Sequence, residues 1–180
     1  MSSPAAEREC WKGPTWEMNI FYPAPGVLYT RAEGQADIEC ALHAMQAFDR
    51  VAAATTEKVE VFHDWAGITG YTAEVRSTYT RWSKSHVERL GGVHVLIRSR
   101  MVAMAVTLVS AAVGGVISAH HDRIAFDKLR AEAILRRRRI VDMPPESGLR
   151  MSGTYAGPRS EKPGQRPGSD RPGGSRASGA

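Results

Sequence analysis

Hydrophobic side chains recur at steps of three and four residues in several stretches of the chain, a spacing that places them on one face of a helix. Thr72 is suited to cap the second of these helices, and the pair Gly91–Gly92 is expected to stop it. Asp122 is suited to cap the last. The predicted helices cover residues 37–54, 72–90, 101–112 and 122 to about 135.

Between these helices, apolar residues alternate with other residues or follow one another directly, which is typical of strands. Pro23 and Pro25 bound the first strand and indicate an edge position, with a hairpin leading to the second. Residues 64–71 contain two glycines and are predicted to form a loop. The predicted strands are residues 16–22, 26–31, 59–63, 93–97 and 116–119.

This order of elements predicts an α/β domain with a mostly parallel sheet of about five strands covered by helices. The strands 59–63 and 93–97 are expected to be parallel neighbours or near-neighbours. The run 93–97 is almost continuously apolar, as in strands that are buried on both faces.

Composition divides the 180-residue chain into three parts. Residues 1–13 are expected to be a flexible N-terminus and residues 14–142 the α/β domain. The segment 143–180 is expected to be a disordered basic tail, since its last 37 residues hold 8 Gly, 6 Pro and 6 Ser. Such a segment has too little apolar surface to offset the entropy lost on ordering.

The basic charge lies at the C-terminal end. Residues 136–180 carry 10 basic and 4 acidic side chains, whereas residues 1–135 are nearly neutral. The run Arg136, Arg137, Arg138 and Arg139 would complement the C-terminal dipole of a helix. Together with the tail it could weakly hold nucleic acid or an anionic surface. Tyr155 is the one aromatic residue of the tail, so base stacking is poorly supported.

The cysteine count and the start of the chain bear on the compartment. Cys10 and Cys40 are too few for a disulfide scaffold or a multi-cysteine zinc module. Cys40 is expected in the core, not as a catalytic thiol. The first residues are polar and lack a basic start followed by an apolar run, so no secretory signal is predicted. A reducing cytoplasm is the expected location.

Residues 101–119 form a run of 19 uncharged residues, which is long enough for a membrane span. Gly114–Gly115 divides this run into a piece of helix length and a piece of strand length. The α/β order needs a helix and a strand at this point, so a core helix followed by a strand is the favoured interpretation. A single-pass membrane protein is the alternative.

Motifs for chemistry are missing from the sequence. No nucleophile elbow, phosphate-binding loop or dinucleotide-binding glycine pattern occurs, so neither an enzyme nor a cofactor is predicted. His63, His94 and Asp64 would form a plausible metal ligand set if the strands brought them together. Spacing alone does not indicate convergence, and histidines hydrogen-bonded within the sheet are the favoured interpretation. No metal is predicted.

Residues 61–69 read as a strand ending in Asp64, followed by small residues that lead into a helix. This segment and the element order over residues 26–135 resemble the SpoIIAA-like branch of the STAS family. The resemblance implies a non-enzymatic module for regulatory protein–protein interaction. In anti-anti-sigma members a serine at the start of that helix is phosphorylated. Ala73 stands at that position here, and Thr72 or Thr69 could substitute.

Two binding hypotheses follow. The first is a partner-protein surface, because exposed aromatic side chains are enriched at interfaces. The second is a pocket for an apolar or lipid-like ligand beside the helix 101–112, implied by a looser relation to SEC14-like lipid-binding domains. A large apolar cavity beside that helix would favour the second hypothesis. The predicted partner-binding residues are Asp64, Trp65, Thr69, Tyr71, Thr72 and Arg76.

Overall fold

The computed structural model describes residues 8–142, which form one sheet and four α-helices. The strands are β1 (Arg8–Lys12), β2 (Trp16–Ala24), β3 (Val27–Ala36), β4 (Val59–Tyr71), β5 (Leu90–Leu96) and β6 (Ile117–His120). The helices are α1 (Ile38–Ala53), α2 (Ala73–His86), α3 (Arg100–Ala112) and α4 (Arg123–Asp142), and a 3-10 helix covers Val87–Arg89.

The strands lie in the sheet in chain order, from β1 to β6. β1, β2 and β3 pair antiparallel, whereas β3, β4, β5 and β6 pair parallel. In the β4–β5 pair Phe62 lies beside His94, so the predicted strands 59–63 and 93–97 are direct parallel neighbours. The predicted α/β class and mostly parallel sheet are confirmed, with six strands in place of about five.

The chain order of the parallel strands determines where the helices lie. Each crossover steps to the next strand in the same direction, and parallel crossovers are right-handed, so the three connecting helices are expected on one face. The contacts agree, since α1 packs on α2 and α2 packs on α3. Helix α4 follows the last strand and covers part of the opposite face.

Each face of the sheet has its own hydrophobic core. In the larger core, under α1 and α3, Met18, Leu28 and Phe48 are at most 1% exposed. In the smaller core, Phe126 of α4 packs against Phe62 with ring centroids 5.8 Å apart. Burying one such side chain contributes about 1.5–3 kcal/mol to stability.

Strand β1 corrects the expected flexible N-terminus, because residues 8–12 of the segment 1–13 are a strand. Its side chains are mostly exposed, and polar contacts hold it to β2: Arg8 Nη2 donates to Asn19 Oδ1 at 2.6 Å. β2 is therefore an interior strand, which corrects the predicted edge position. Pro23 lies beyond the last residue that pairs with β1, so its missing N–H costs no bond there.

Strand β4 corrects the predicted loop at residues 64–71, since the strand continues to Tyr71 beside an equally prolonged β3. The register with β3 shifts twice along this stretch, as at β-bulges. A Cβ at Gly67 would come within 2.7 Å of Glu33 Cγ, so the close approach of the two strands favours glycine there. The two glycines that predicted a loop, Gly67 and Gly70, instead lie where the pairing of β4 with β3 is irregular.

The second helix ends earlier than predicted. α2 stops at His86, and Gly91 and Gly92 belong to β5. The strand begins at Leu90, which has an extended backbone and is 2% exposed. The glycine pair does not end a helix.

The uncharged run 101–119 is divided as predicted. α3 ends at Ala112, the turn contains Gly114 and Gly115 at φ of 72° and 80°, and β6 begins at Ile117. Positive φ favours glycine because other residues clash with their own backbone. Within residues 8–142, no helix has the length and apolar character needed to cross a membrane.

Helix α4 is held to the sheet by arginines of the predicted basic run. Arg136 pairs with Glu60 at 2.7 Å, Arg137 donates to the carbonyl oxygen of Lys58, and Arg138 donates to that of Pro23. The predicted tail, residues 143–180, lies outside the described residues.

Two glycines at positive φ provide a test of this backbone. Ala at Gly114 meets no atom within 4 Å, so G114A should lower the free energy of unfolding by about 1 kcal/mol, the cost of the conformation alone. Ala at Gly34, where φ is 90°, would also collide with the carbonyl oxygen of Thr15. G34A should therefore cost about 3 kcal/mol. Urea denaturation of both variants measures the difference, and equal losses would contradict the β2–β3 register.

Candidate functional site

Helix α2 lies between α1 and α3 and contacts both. It begins at Thr72, whose hydroxyl oxygen accepts a hydrogen bond from the backbone N–H of Val75. Within the helix only Val75 and Ser83 are buried, so most of it faces solvent. Tyr79 and Trp82 are partly buried and point toward the main core.

These aromatic side chains do not fill the space beneath α2. A cavity of about 80 Å³ remains between the sheet and the three helices. Apolar side chains of β3, β4 and β5 form its floor, Ala44 and Phe48 of α1 form one wall, and Ala105 and Val109 of α3 form the other. Such a lining offers water few hydrogen-bond partners.

A second cavity, of about 40 Å³, adjoins the first. The two share Trp65, Tyr71 and Tyr79 as lining residues, and the second extends toward Met18 and Cys40. The Trp65 and Tyr79 rings meet edge to face, with centroids 5.5 Å apart. Val75 and Val102 also line both cavities, so side chains of β4, α2 and α3 lie between the two spaces.

His63 is the most buried titratable group in the wall of the larger cavity. His63 is only 6% exposed, and its Nδ1 is hydrogen-bonded to Thr30 Oγ1 at 2.7 Å. Its ring stacks on the Trp65 ring, with the centroids 4.6 Å apart. Burial lowers the pKa of His63 to about 3. The imidazole is therefore neutral at neutral pH.

Other polar groups around the cavities are also held uncharged. Burial raises the pKa of the Tyr79 hydroxyl far above its usual range, and it raises the pKa of the Cys40 thiol to about 12. The Trp82 indole N–H is buried without a hydrogen-bond partner in the described part of the chain. Apart from Arg76, which is exposed at the edge, the groups that line the space beneath α2 are neutral.

Three of the predicted partner-binding residues come together at this cavity. Trp65, Tyr71 and Arg76 line it, Trp65 and Tyr71 being half-buried and Arg76 exposed at its edge. Thr69 and Thr72 are exposed, as an interface would require. The proposal that these residues contact a partner stays a prediction.

Asp64 does not join that group. Its side chain is 3% exposed and pairs with Arg123 Nη2 of α4, which lies 2.9 Å from each carboxylate oxygen. Trp65 packs on the opposite face of the sheet, because successive residues of a strand alternate. Asp64 is also not at the end of a strand, so the position at which α/β sheets place ligands lies further along β4.

The metal hypothesis fails on the same alternation. His63 lies beside Val95 and His94 lies beside Phe62, so the two imidazoles are on opposite faces of the sheet. His94 Nδ1 instead lies 3.2 Å from His120 Nε2. Burial lowers the pKa of both histidines, and the neighbouring His120 lowers the pKa of His94 further. Across residues 8–142, no three His, Cys, Asp or Glu side chains are placed to hold a metal ion.

Sequence reasoning did not identify the cavity walls. Ala44 and Ala105 are small residues that face each other across the cavity from α1 and α3. A small residue on the buried face of each of two helices is a weak signal of empty space, since a neighbouring side chain usually fills it. The sequence predicts a helix that contains Tyr79 and Trp82, but it does not indicate that these side chains leave space beneath them.

Comparisons with known proteins show a similarity of fold. No protein-family model matches the chain, and no curated protein matches it. It is similar to the crystal structure of an uncharacterized DUF3478-family protein with a SpoIIAA-like fold from Shewanella loihica PV-4. The two are 14% identical, and the match covers 72% of this chain and 98% of the other, with a TM-score of 0.47. That description names the same fold as the resemblance in the sequence, and it assigns no ligand or activity.

The neutral state of His63 gives a pH-dependent prediction. Because its pKa is about 3 in the folded protein and about 6.5 in the unfolded chain, the unfolded chain binds more protons between these pH values. Stability is therefore lost as pH falls through this window, by up to about 1.4 kcal/mol per pH unit from this group. H63Q should show a correspondingly shallower decline between pH 6 and pH 4 in urea denaturation. Parallel curves for the two proteins would mean that His63 is not buried.

Proposed function

We propose that this domain binds an apolar small molecule in the cavity beneath α2 and performs no chemical step on it. The observation that supports the proposal is the apolar lining of a cavity beside α3, where Ala105, Val106 and Val109 contribute to the wall. Transfer of apolar surface from water into such a space is favourable, and little polar surface is desolvated.

The size of the cavity limits the ligand. An engineered cavity of about 150 Å³ holds benzene, so about 80 Å³ suits a short alkyl segment. A longer chain would reach the adjoining cavity of about 40 Å³ if the Trp65 or Tyr79 ring turned aside. A flexible chain therefore fits this space better than a rigid ring system.

Helix α2 is the wall that can yield to a ligand. It buries only Val75 and Ser83, whereas α1 buries seven residues, Phe48 and Val51 among them. A helix with so little buried surface costs less to displace than its neighbours. An outward shift of α2 would enlarge the cavity without breaking the sheet.

The neutral groups around the cavity support binding over acid–base catalysis. A general acid or base works best with a pKa near the operating pH. The pKa of His63 is about 3 and that of the Tyr79 hydroxyl is raised, so neither group fits this role. A non-enzymatic role is consequently part of the proposal.

A regulatory contact with another protein is the second candidate. It is favoured by the exposure of Thr72 and Arg76 at the start of α2 and of Leu108, which is 61% exposed on α3. A partner at this surface would sense any shift of α2 caused by a ligand. Partner capture that is unchanged by L108E would contradict this candidate.

A cavity-filling variant tests the main proposal. 1-Decanol has a chain longer than the first cavity holds, so its binding requires both cavities and the outward shift of α2. It should bind the wild-type protein and change its tryptophan fluorescence, because Trp65 and Trp82 line the cavity. A105L adds three carbon atoms to the wall and should weaken binding about tenfold or more. A111L makes the same change on an exposed position of α3 and should bind as wild type does.

Folding of A105L is checked by its urea midpoint, and A44L makes the same test from the α1 wall. If decanol does not bind the wild-type protein, or if the filled variants bind it unchanged, the cavity is not a ligand site.

A further inference from the structure

The outer surface between α2 and α3 forms a groove that lies beside the cavity beneath α2. Arg76, Arg81 and Lys84 of α2 line one side, and Leu108 and Val109 of α3 line the other. The groove encloses about 800 Å³ and is open to solvent. Arg76 and Val109 belong to the linings of both spaces, so the groove and the cavity are separated by these two side chains and not by a layer of backbone.

The charge of this groove has one sign. Among the residues that the structure describes, its lining contains three cations and no carboxylate. Throughout residues 8–142, no carboxylate oxygen lies within 4.0 Å of Arg76, Arg81 or Lys84. This contrasts with Arg123, Arg136 and Arg137, which all pair with acidic residues. Cations without partners beside an apolar opening are complementary to an anion attached to an apolar chain.

We infer that the ligand of this site is a single-chain anionic amphiphile, with its alkyl chain beneath α2 and its anionic head at Arg76, Arg81 and Lys84. The inference rests on the proposed binding function and specifies the ligand class. Arg76 lies at the edge of the cavity and the groups deeper inside are neutral, so a charged head inside it would be an unpaired buried charge, which is very costly. It can remain in the open groove, where water and the three cations surround it.

The apolar side of the groove favours this occupant over a nucleic acid. Leu108 is 61% exposed and Met104, one turn earlier on the same helix, is 70% exposed. A phosphate backbone would leave these side chains unmatched, whereas an alkyl chain passing from the head to the cavity would cover Leu108. A bilayer surface containing anionic lipid is the main competitor.

The test compares decanoate, below its critical micelle concentration, with 1-decanol, which has the same chain length and a neutral head. Isothermal titration calorimetry at low salt should show decanoate binding the wild-type protein about tenfold more tightly than decanol, as expected for a charge-assisted contact. R76Q should remove most of this preference, measured as the ratio of the two affinities in the same variant. R31Q is the matched control, since Arg31 pairs with Glu33 on exposed β3 positions, and it should retain the preference.

The outcomes separate the two proposals. If decanol and decanoate bind equally well, or if R76Q keeps the preference, the head-group inference is wrong and the apolar site remains. If neither compound binds, both proposals are wrong. A vesicle arm uses phosphatidylcholine with and without phosphatidylglycerol. Arg76-dependent sedimentation with anionic vesicles and no decanoate binding would assign the groove to a membrane surface and overturn the inference.

Discussion

The position of α2 follows from one topological constraint, and the proposed site depends on it. Four parallel strands succeed one another in chain order, so the three helices that connect them share one face of the sheet. The middle helix must then lie between α1 and α3, above the central strands. Its sequence supplies few apolar side chains for this place, and the space between helix and sheet is only partly filled.

The opposite face of the sheet, which α4 covers, is more completely packed. There α4 buries Phe126 and Ala133, and its arginines pair with acidic groups of β4 at both ends: Arg123 with Asp64 and Arg136 with Glu60. Buried aromatic packing and paired charges leave little for a ligand to satisfy. Incomplete packing and unpaired cations instead occur together along α2, which is why binding is assigned to that side.

Much of the fold could be predicted from periodicity and punctuation. α1 has a strong signal because it buries seven residues on one face, and the turn has one because Gly114 and Gly115 both have positive φ. β1 gave no signal, since an exposed edge strand with polar contacts has no alternation of burial. The far half of β4 was obscured by glycines that serve its irregular pairing with β3.

The site was predictable only in part. Trp65, Tyr71 and Arg76 were identified because aromatic and charged residues are visible in a sequence. Asp64 was wrongly assigned to the partner-binding surface, because residues 64–71 were predicted to be a loop. In the strand that they form, side chains alternate between the two faces, and Asp64 lies on the face that α4 covers. A cavity is a difference between the space that the backbone encloses and the volume that side chains occupy, and a single sequence does not express that difference.

The central claim is that a ligand lies beneath α2, between that helix and the sheet. The most direct measurement is a set of intermolecular NOEs between protonated 1-decanol and the methyl groups of otherwise deuterated protein. The account predicts NOEs to Val95, Val106 and Val109, which line the cavity from the floor and from α3. NOEs confined to Met104 and Leu108, which are exposed on the outer surface, would contradict it.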